Sequence, residues 1–357
     1  MKNNITLYHL SHIDLDGYGC QYLTSMVFSD IRCYNANYGP EVTARLDEIF
    51  RDIQKDRPGD NDTKRLILVT DLNLSTKECN KLEKDAAAIG SDLLLLDHHA
   101  TGASAAERFF WYRLDTSRCA TMITYDWLRK EYGFDSEKEY ADIVEAINAI
   151  DIWQDKNRWF EYGKVMLGMI SGAKEINRIL FPDDDRSYKL NLIEKAREMA
   201  REGDILSAHI RLDEALHANK KSYFFNGTNN TKDNLVAEYV TTLLNSKKDT
   251  MTIYYRNHKG LLGYNIGSAS LIGNTFLSAN PEFDFYMDLN SRGNFSLRSI
   301  DRVDVSQMAA EIGNGGGHPN AGGGKIENYK DSFVYEDLRE SIQEYIDDKT
   351  GNRPLLR

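Results

Sequence analysis

The chain has 357 residues, 41% of them hydrophobic and 28% charged, with 55 Asp and Glu against 44 Lys and Arg for a formal net charge of −11. That composition fits a soluble protein of two ordinary domains. It excludes disordered and collagen-like chains and argues against a general nucleic-acid coat protein, whose affinity comes from many Lys and Arg contacts to phosphate. Apolar runs such as Leu93–Leu96 fall far short of the roughly 20 residues of a membrane span. The opening MKNNITLYHL has neither the basic flank nor the apolar stretch of a signal peptide, so a cytoplasmic protein without membrane association is expected. Cys20, Cys33, Cys79 and Cys119 are scattered with no CxxC pair, which points to reduced thiols near packed cores.

In chain order, the first half alternates short apolar runs with longer amphipathic stretches, the pattern of βαβ units around a mainly parallel sheet with helices on both faces. Strands are expected at Ile5–Leu10, Ile31–Tyr34, Arg65–Thr70 and Asp92–Leu96, and helices at Glu41–Gln54, Ser75–Ala88, Arg118–Tyr132 and Ser136–Ile150. Ser75 with Glu78 makes a capping box, and Gly133 stops the third of these helices. A charged helical stretch from Arg186 to about Tyr223, interrupted at Gly203, reads as a connector, and the polar NGTNNTKDN marks a boundary. Strands at Thr250–Tyr255, Leu261–Ile266, Phe283–Leu289, Phe295–Ile300 and Gly324–Ile326, with helices at Asp304–Ile312 and from about Tyr335 to Asp348, complete a smaller C-terminal α/β unit. The expected division is 1–185, a helical linker over 186–225, and 226–357. Net charges of −10, +2 and −3 follow for these three segments, so the acidity sits on the first.

Three of the four strands expected in the first segment are followed by residue types that bind metal. After Ile5–Leu10 come His12, Asp14 and Asp16 in SHIDLDG; after Arg65–Thr70 comes Asp71; after Asp92–Leu96 come Asp97, His98 and His99. A later helix ends in INAIDIW and delivers Asp151. In open α/β sheets the carboxyl ends of the strands line one crevice, so these residues can converge. Several carboxylates cannot share a crevice as bare anions, and divalent cations resolve the conflict. Mixed Asp and His ligation without thiolate suits Mn²⁺ or a similar ion. Two such ions roughly 3.5–4 Å apart share a bridging water, lower its pKa and stabilise charge on a phosphoryl oxygen, which implies hydrolysis of a phosphate ester. His9 lies inside a strand and reads as a packed, hydrogen-bonded histidine.

Seven of the 25 glycines fall within GNGGGHPNAGGG, Gly313 to Gly324. That density predicts a loop whose backbone approaches a ligand closely and offers N–H groups to an anion. His318 within it would donate to a phosphate or a base edge, and Arg298 just upstream would clamp a phosphate. Asn265, Ser268 and Asn290 are further candidates for a nucleobase or ribose.

HIDLDG, Asp71, Asp97-His98-His99 and Asp151 together resemble the four successive motifs of the DHH phosphoesterase superfamily, and GGGHPNAGG resembles the signature of its accessory DHHA1 domain. The resemblance covers nearly the whole chain and is most similar to the short two-domain nanoRNases of the NrnA and NrnB type; the opening SHIDLDGYGC is nearer the NrnB or RecJ-like form. It implies a DHH catalytic domain over 1–185, a DHHA1 substrate-binding domain over 226–357, and two divalent ions, Mn²⁺ foremost with Mg²⁺ or Co²⁺ as alternatives. Asp14, Asp16, Asp71, His98 and Asp151 would hold them, with Asp71 bridging and His12 as a further ligand. Asp97 would orient its neighbours and His99 would contact the scissile phosphate. His318 with Gly315, Gly316, Gly317, Asn320, Gly322 and Gly323, together with Arg298, would hold the terminal nucleotide.

The expected activity is therefore hydrolysis of short RNA oligonucleotides by a hydroxide activated between two metal ions, with no stable complex on long DNA. Hydrolysis of a cyclic or linear dinucleotide, removal of the 3′-phosphate of phosphoadenosine phosphate, and a silent nucleotide-binding module are the alternatives. The resemblance leaves a homodimer open.

Overall fold

The computed structural model describes residues 5–55, 64–135 and 138–351. Its chain divides into two units, one of Met1–Ala173 with Arg186–Asn219, the other of Lys174–Asp185 with Lys220–Arg357. The stretch expected to be a linker is thus shared, residues 186–219 falling in the first unit and 220–225 in the second.

The first unit is organised on an all-parallel sheet of β1 (Ile5–Ser11), β2 (Ile31–Asn35), β3 (Lys64–Thr70), β4 (Asp92–Asp97) and β5 (Tyr112–Leu114). The strand order is β2-β1-β3-β4-β5. Its helices are α1 (Leu15–Val27), α2 (Pro40–Lys55), α3 (Thr76–Ala88), α4 (Ala103–Ala106), α5 (Ala120–Tyr132), α6 (Ala141–Asp151) and α7 (Phe160–Ser171). Most of α8 (Pro182–Ala200) and α9 (Ala208–Tyr223) follows, with Gly203 at φ +65 in the break between them. The runs LILV in β3 and LLLL in β4 are apolar on both faces because a parallel sheet is covered on both. Ser75 and Glu78 form the expected capping box at the start of α3, and Gly133 closes α5 in the left-handed region.

Several boundaries differ from the expectation, four of them in the first unit for clear physical reasons. Strands β1, β2 and β4 run one residue further, to Ser11, Asn35 and Asp97, because polar side chains at a strand's carboxyl end continue the ladder. The helix expected from Ser136 begins at Ala141, after a turn in which the Asp135 carboxylate accepts from the backbone N–H groups of Glu139 and Tyr140. Ser136 and Glu137 themselves lie outside the described residues.

The second unit is built on a mixed sheet of β6 (Thr252–Tyr255), β7 (His258–Tyr264), β8 (Phe285–Leu289), β9 (Asn294–Ser299), β10 (Gly316–His318) and β11 (Ala321–Lys325). The order is β10-β11-β9-β8-β7-β6, with β7 and β8 the parallel pair. Helices α10 (Lys232–Lys247), α11 (Ala269–Ala279), α12 (Val305–Gly313) and α13 (Tyr335–Thr350) belong to it. Among the described residues no helix is long and apolar enough to cross a membrane.

The glycine cluster is a β-hairpin, not the expected loop: Gly316, Gly317 and His318 pair with Gly323, Gly322 and Ala321. Close packing explains most of its glycines. A Cβ on Gly322 would lie 2.6 Å from the Val305 carbonyl oxygen, one on Gly315 2.0 Å from that of Gly323, and one on Gly313 2.4 Å from the Phe295 ring. A Cβ on Gly316 would meet nothing within 4 Å. We therefore expect Gly322→Ala to cost roughly 1–3 kcal/mol of stability and Gly316→Ala less than about 0.5, measured as the difference in denaturant midpoints.

Candidate metal centre

The carboxyl ends of β1, β3 and β4 meet at one edge of the first sheet, and the C-terminus of α6 joins them. The turn after β1 is closed by Gly17, where a Cβ would fall 2.3 Å from the His12 carbonyl oxygen. Asp14 caps α1, accepting from Gly17 N–H at 3.0 Å. Asp16 is buried against the start of α5, its two oxygens accepting from the N–H groups of Ala120 and Thr121 at 2.8 Å each. A helix N-terminus favours that anion. Asn35 ties the turn down by donating to the His12 carbonyl at 3.1 Å.

Asp71 leaves β3 in a left-handed conformation, φ +56, fully buried, with its own N–H bonded to Leu96 O. One oxygen is 3.3 Å from His98 Nε2 and the other 3.5 Å from His12 Nδ1. His98 Nε2 is also 3.5 Å from Asp151 Oδ2 and 3.8 Å from Asp16 Oδ2, while His12 Nδ1 is 2.8 Å from Asp14 Oδ2. Three overlapping groups therefore have ligand atoms within 4.8 Å of one another and could hold a metal ion: His12, Asp14 and Asp71; Asp16, His98 and Asp151; and Asp71, His98 and His99.

The electrostatics of this cluster are those of a cation site. Burial, then repulsion from Asp16 and Asp14, holds the Asp71 carboxyl well above the usual carboxylate range. Burial and Asp16 push Asp151 up to about 8 against the pull of His98, and the C-terminal end of a helix adds no relief for an anion. Burial opposes ionisation of Asp14 too, but His12 beside it and the Gly17 N–H draw it down to about 2. His12, which burial alone would lower, is raised to about 10 by Asp14 and Asp71. His12 Nδ1 and Asp71 Oδ2 are nevertheless buried with no partner in hydrogen-bond geometry. Buried polar atoms crowded together without good hydrogen-bond geometry are costly, and the oxygen and imidazole donors fit divalent cations.

His99 meets this cluster at Asp71 and His98 and is held from its other side by Asp97. Asp97, fully buried, accepts from His99 Nδ1 at 2.7 Å and from the Tyr112 hydroxyl at 2.7 Å. Burial works against the Asp97 charge, but these two donors outweigh it and lower its pKa. The other ring nitrogen, Nε2, lies 2.9 Å from the Tyr38 hydroxyl, and the Tyr38 ring rests 4.5 Å from that of His12. Gly102 is required here, since a Cβ would fall 1.9 Å from the Tyr112 hydroxyl. Tyr38 and Tyr112 are site residues that sequence reasoning missed. Tyr38 follows β2, so the rule that found Asp71 would have reached it had aromatic residues been admitted.

His9 lies beneath the site, not in it. Its ring nitrogens sit 2.9 Å from Thr24 Oγ1 and 2.8 Å from Thr70 Oγ1, and burial with nearby Arg186 lowers it to about 3. All four cysteines are free.

In the second unit, register sets His318 opposite Ala321 and Ala321 opposite Arg298, so the histidine and the arginine share a sheet face. Arg298 donates to the Leu297 carbonyl at 2.6 Å and to Ser270 Oγ. His318 and Gly316 are exposed, and Asn320 is paired with Asp301 through two hydrogen bonds.

Comparison with known proteins adds an independent line. Residues 284–349 match a DHHA1 domain. A protein named 3′,5′-cyclic-nucleotide phosphodiesterase from Helicobacter pylori (strain ATCC 700392 / 26695) is 42% identical over 347 residues, 95% of this chain and 98% of that one. Oligoribonuclease NrnB of Bacillus subtilis (strain 168) is 28% identical over 349 residues, 93% of this chain and 76% of its own. A crystal structure of an uncharacterized protein from Helicobacter pylori G27 superposes with a TM-score of 0.87 at 41% identity, covering 96% of this chain and 99% of that one.

Proposed function

The chain belongs to the DHH/DHHA1 phosphoesterase superfamily, and from that premise we propose that it is a cytoplasmic, manganese-dependent phosphodiesterase that hydrolyses short RNA oligonucleotides. The observation that carries this reading is the convergence of Asp14, Asp16, Asp71, Asp151, His12 and His98, in which buried His12 Nδ1 and Asp71 Oδ2 approach charged neighbours without hydrogen-bond geometry. Two divalent ions bound by these side chains would supply a water of lowered pKa and neutralise charge on the phosphoryl oxygens.

The remaining roles belong to the chain's own residues. Asp71 joins the His12 and Asp14 group to His98. Asp16, anchored on α5, and Asp151, at the end of α6, complete the ring. His99, held at Nδ1 by Asp97, contacts the scissile phosphate and holds at Nε2 the proton that the departing ester oxygen takes up. Within the second unit, Arg298, His318 and the open Gly316 are the residues that would contact a nucleotide. The net −10 of residues 1–185 disfavours long polyanions and so supports short substrates.

Hydrolysis of a 3′,5′-cyclic nucleotide is a second reading, favoured by the name of the 42%-identical relative. Incubation with Mn²⁺ and labelled RNA of roughly 2 to 20 nucleotides, phosphoadenosine phosphate, cyclic di-AMP and a 3′,5′-cyclic mononucleotide separates these. The fastest rates are expected on the shortest RNAs; a steep rise with length overturns the proposal, and exclusive turnover of the cyclic mononucleotide selects the second reading. In protein stripped with EDTA, Mn²⁺ at a hundredfold its Kd is expected to add about 3 kcal/mol of stability, read as a rise in Tm.

A further inference from the structure

We propose that Trp153 is the stacking platform for the base adjoining the cleaved bond, so that the centre selects nucleotides over base-free phosphate esters; this rests on the phosphodiesterase reading above. Helix α6 ends at Asp151, and Trp153 is the residue that turns the chain out of it. Its N–H bonds to Ile150 O at 3.4 Å and that of Gln154 to Ala149 O at 2.7 Å, the two bonds of a Schellman closure.

That closure demands a left-handed residue, and Trp153 takes φ +56. Glycine or asparagine is the residue such a position favours, because a large side chain is strained there. The chain follows that rule elsewhere, ending α5 with Gly133, α12 with Asn314 and α13 with Gly351.

Burial does not compensate the strain. Trp153 is 68% exposed, whereas Trp111, Trp127 and Trp159 are each 7% exposed or less. Its ring meets Phe160 edge to face at 5.2 Å, which restrains it on one side while most of its surface stays open. Trp153 is two residues beyond Asp151, whose carboxylate lies 3.5 Å from His98, so its Cα is no more than about 7 Å from that of the candidate ligand. An open indole braced on one side by Phe160, within a nucleotide's length of a phosphoesterase centre, has the properties of a base-stacking surface. The bland alternative, a solvent-exposed helix stop, leaves the choice of tryptophan unexplained.

The variants Trp153→Gly and Trp153→Phe test this. Because glycine suits the left-handed position, Trp153→Gly is expected to melt at or above the parent temperature. Its KM for a diribonucleotide should nonetheless rise roughly 5- to 150-fold, with Trp153→Phe in between. For an abasic analogue of the same dinucleotide, parent and variants should be equal. A phosphorothioate-linked diribonucleotide added with Mn²⁺ should quench the indole fluorescence of the parent, since the other three tryptophans are buried, and should leave that of Trp153→Gly unchanged. Unchanged KM in Trp153→Gly, or an equal loss on the abasic analogue, overturns the stacking role while leaving the phosphodiesterase reading in place. A parent that neither binds nor cleaves any nucleotide overturns both.

Discussion

Asp71→Asn is expected to abolish hydrolysis and, at the same time, to stabilise the ion-free protein. Asparagine takes the left-handed conformation of Asp71, φ +56, as readily as aspartate, so the turn after β3 is kept. What is lost is the charge shared by both halves of the centre, 3.5 Å from His12 and 3.3 Å from His98. Several kcal/mol of charge stabilisation correspond to a fall of roughly 10³-fold or more in kcat/KM. The stability effect has the opposite sign because burial, then Asp16 and Asp14, hold the Asp71 pKa well above its unfolded value. Such a group favours the fold below an ordinary carboxylate pKa of about 4 and penalises it as pH rises through the raised value. In EDTA at neutral pH the variant should be more stable by roughly 1–3 kcal/mol, the gap closing toward pH 4. In Mn²⁺ the parent gains by mass action and the order reverses. Thermal melts in EDTA and in Mn²⁺ across this pH range decide the matter. The same order in both media would make Asp71 an ordinary turn residue.

The centre is legible in the sequence because a parallel sheet converts sequence order into spatial convergence. His12, Asp14 and Asp16 follow β1, Asp71 follows β3, and Asp97 to His99 end β4, so one rule about strand ends gathers them. Asp151 needs more, since it ends a helix, and only its position in INAIDIW singles it out. Helix α1 leaves no such trace: Leu15 through Thr24 are all buried, so the segment lacks the polar face whose periodicity announces a surface helix. Helix α11 has the same apolar character in ASLIGNTFLSA. The glycine cluster misleads for a different reason. Glycine is required both where a backbone meets a ligand and where two backbones or a ring pack closely, and sequence cannot separate the two. The contacts of Gly313, Gly315 and Gly322 are of the second kind, which leaves Gly316 as the position whose lack of a side chain packing does not explain.

Asp97→Asn is the sharper probe of His99, because it alters no atom of the candidate ion ligands. The buried Asp97 carboxylate accepts from His99 Nδ1 and the His99 backbone N–H on one oxygen and from the Tyr112 hydroxyl on the other. In this arrangement Nδ1 carries its proton toward Asp97, which fixes the ring and leaves Nε2 on its far side. An asparagine has one oxygen to offer. If that oxygen faces His99, the ring keeps its orientation but loses the charge; if the amide nitrogen faces it, Nδ1 becomes the acceptor and the proton moves to Nε2. Either outcome spoils the proton-holding role proposed for His99 Nε2, and kcat is expected to fall on the order of 10²- to 10⁴-fold, the range for a disrupted Asp–His couple. Tyr112→Phe removes only the supporting donor and should cost about tenfold. Mn²⁺-induced stabilisation should change little in either variant, since Asp14, Asp16, Asp71, His98 and Asp151 are untouched. Measuring kcat beside the Mn²⁺-dependent Tm therefore separates the two roles: a loss of metal stabilisation equal to the loss of rate would make Asp97 a support of the ion ligands rather than the residue that orients His99.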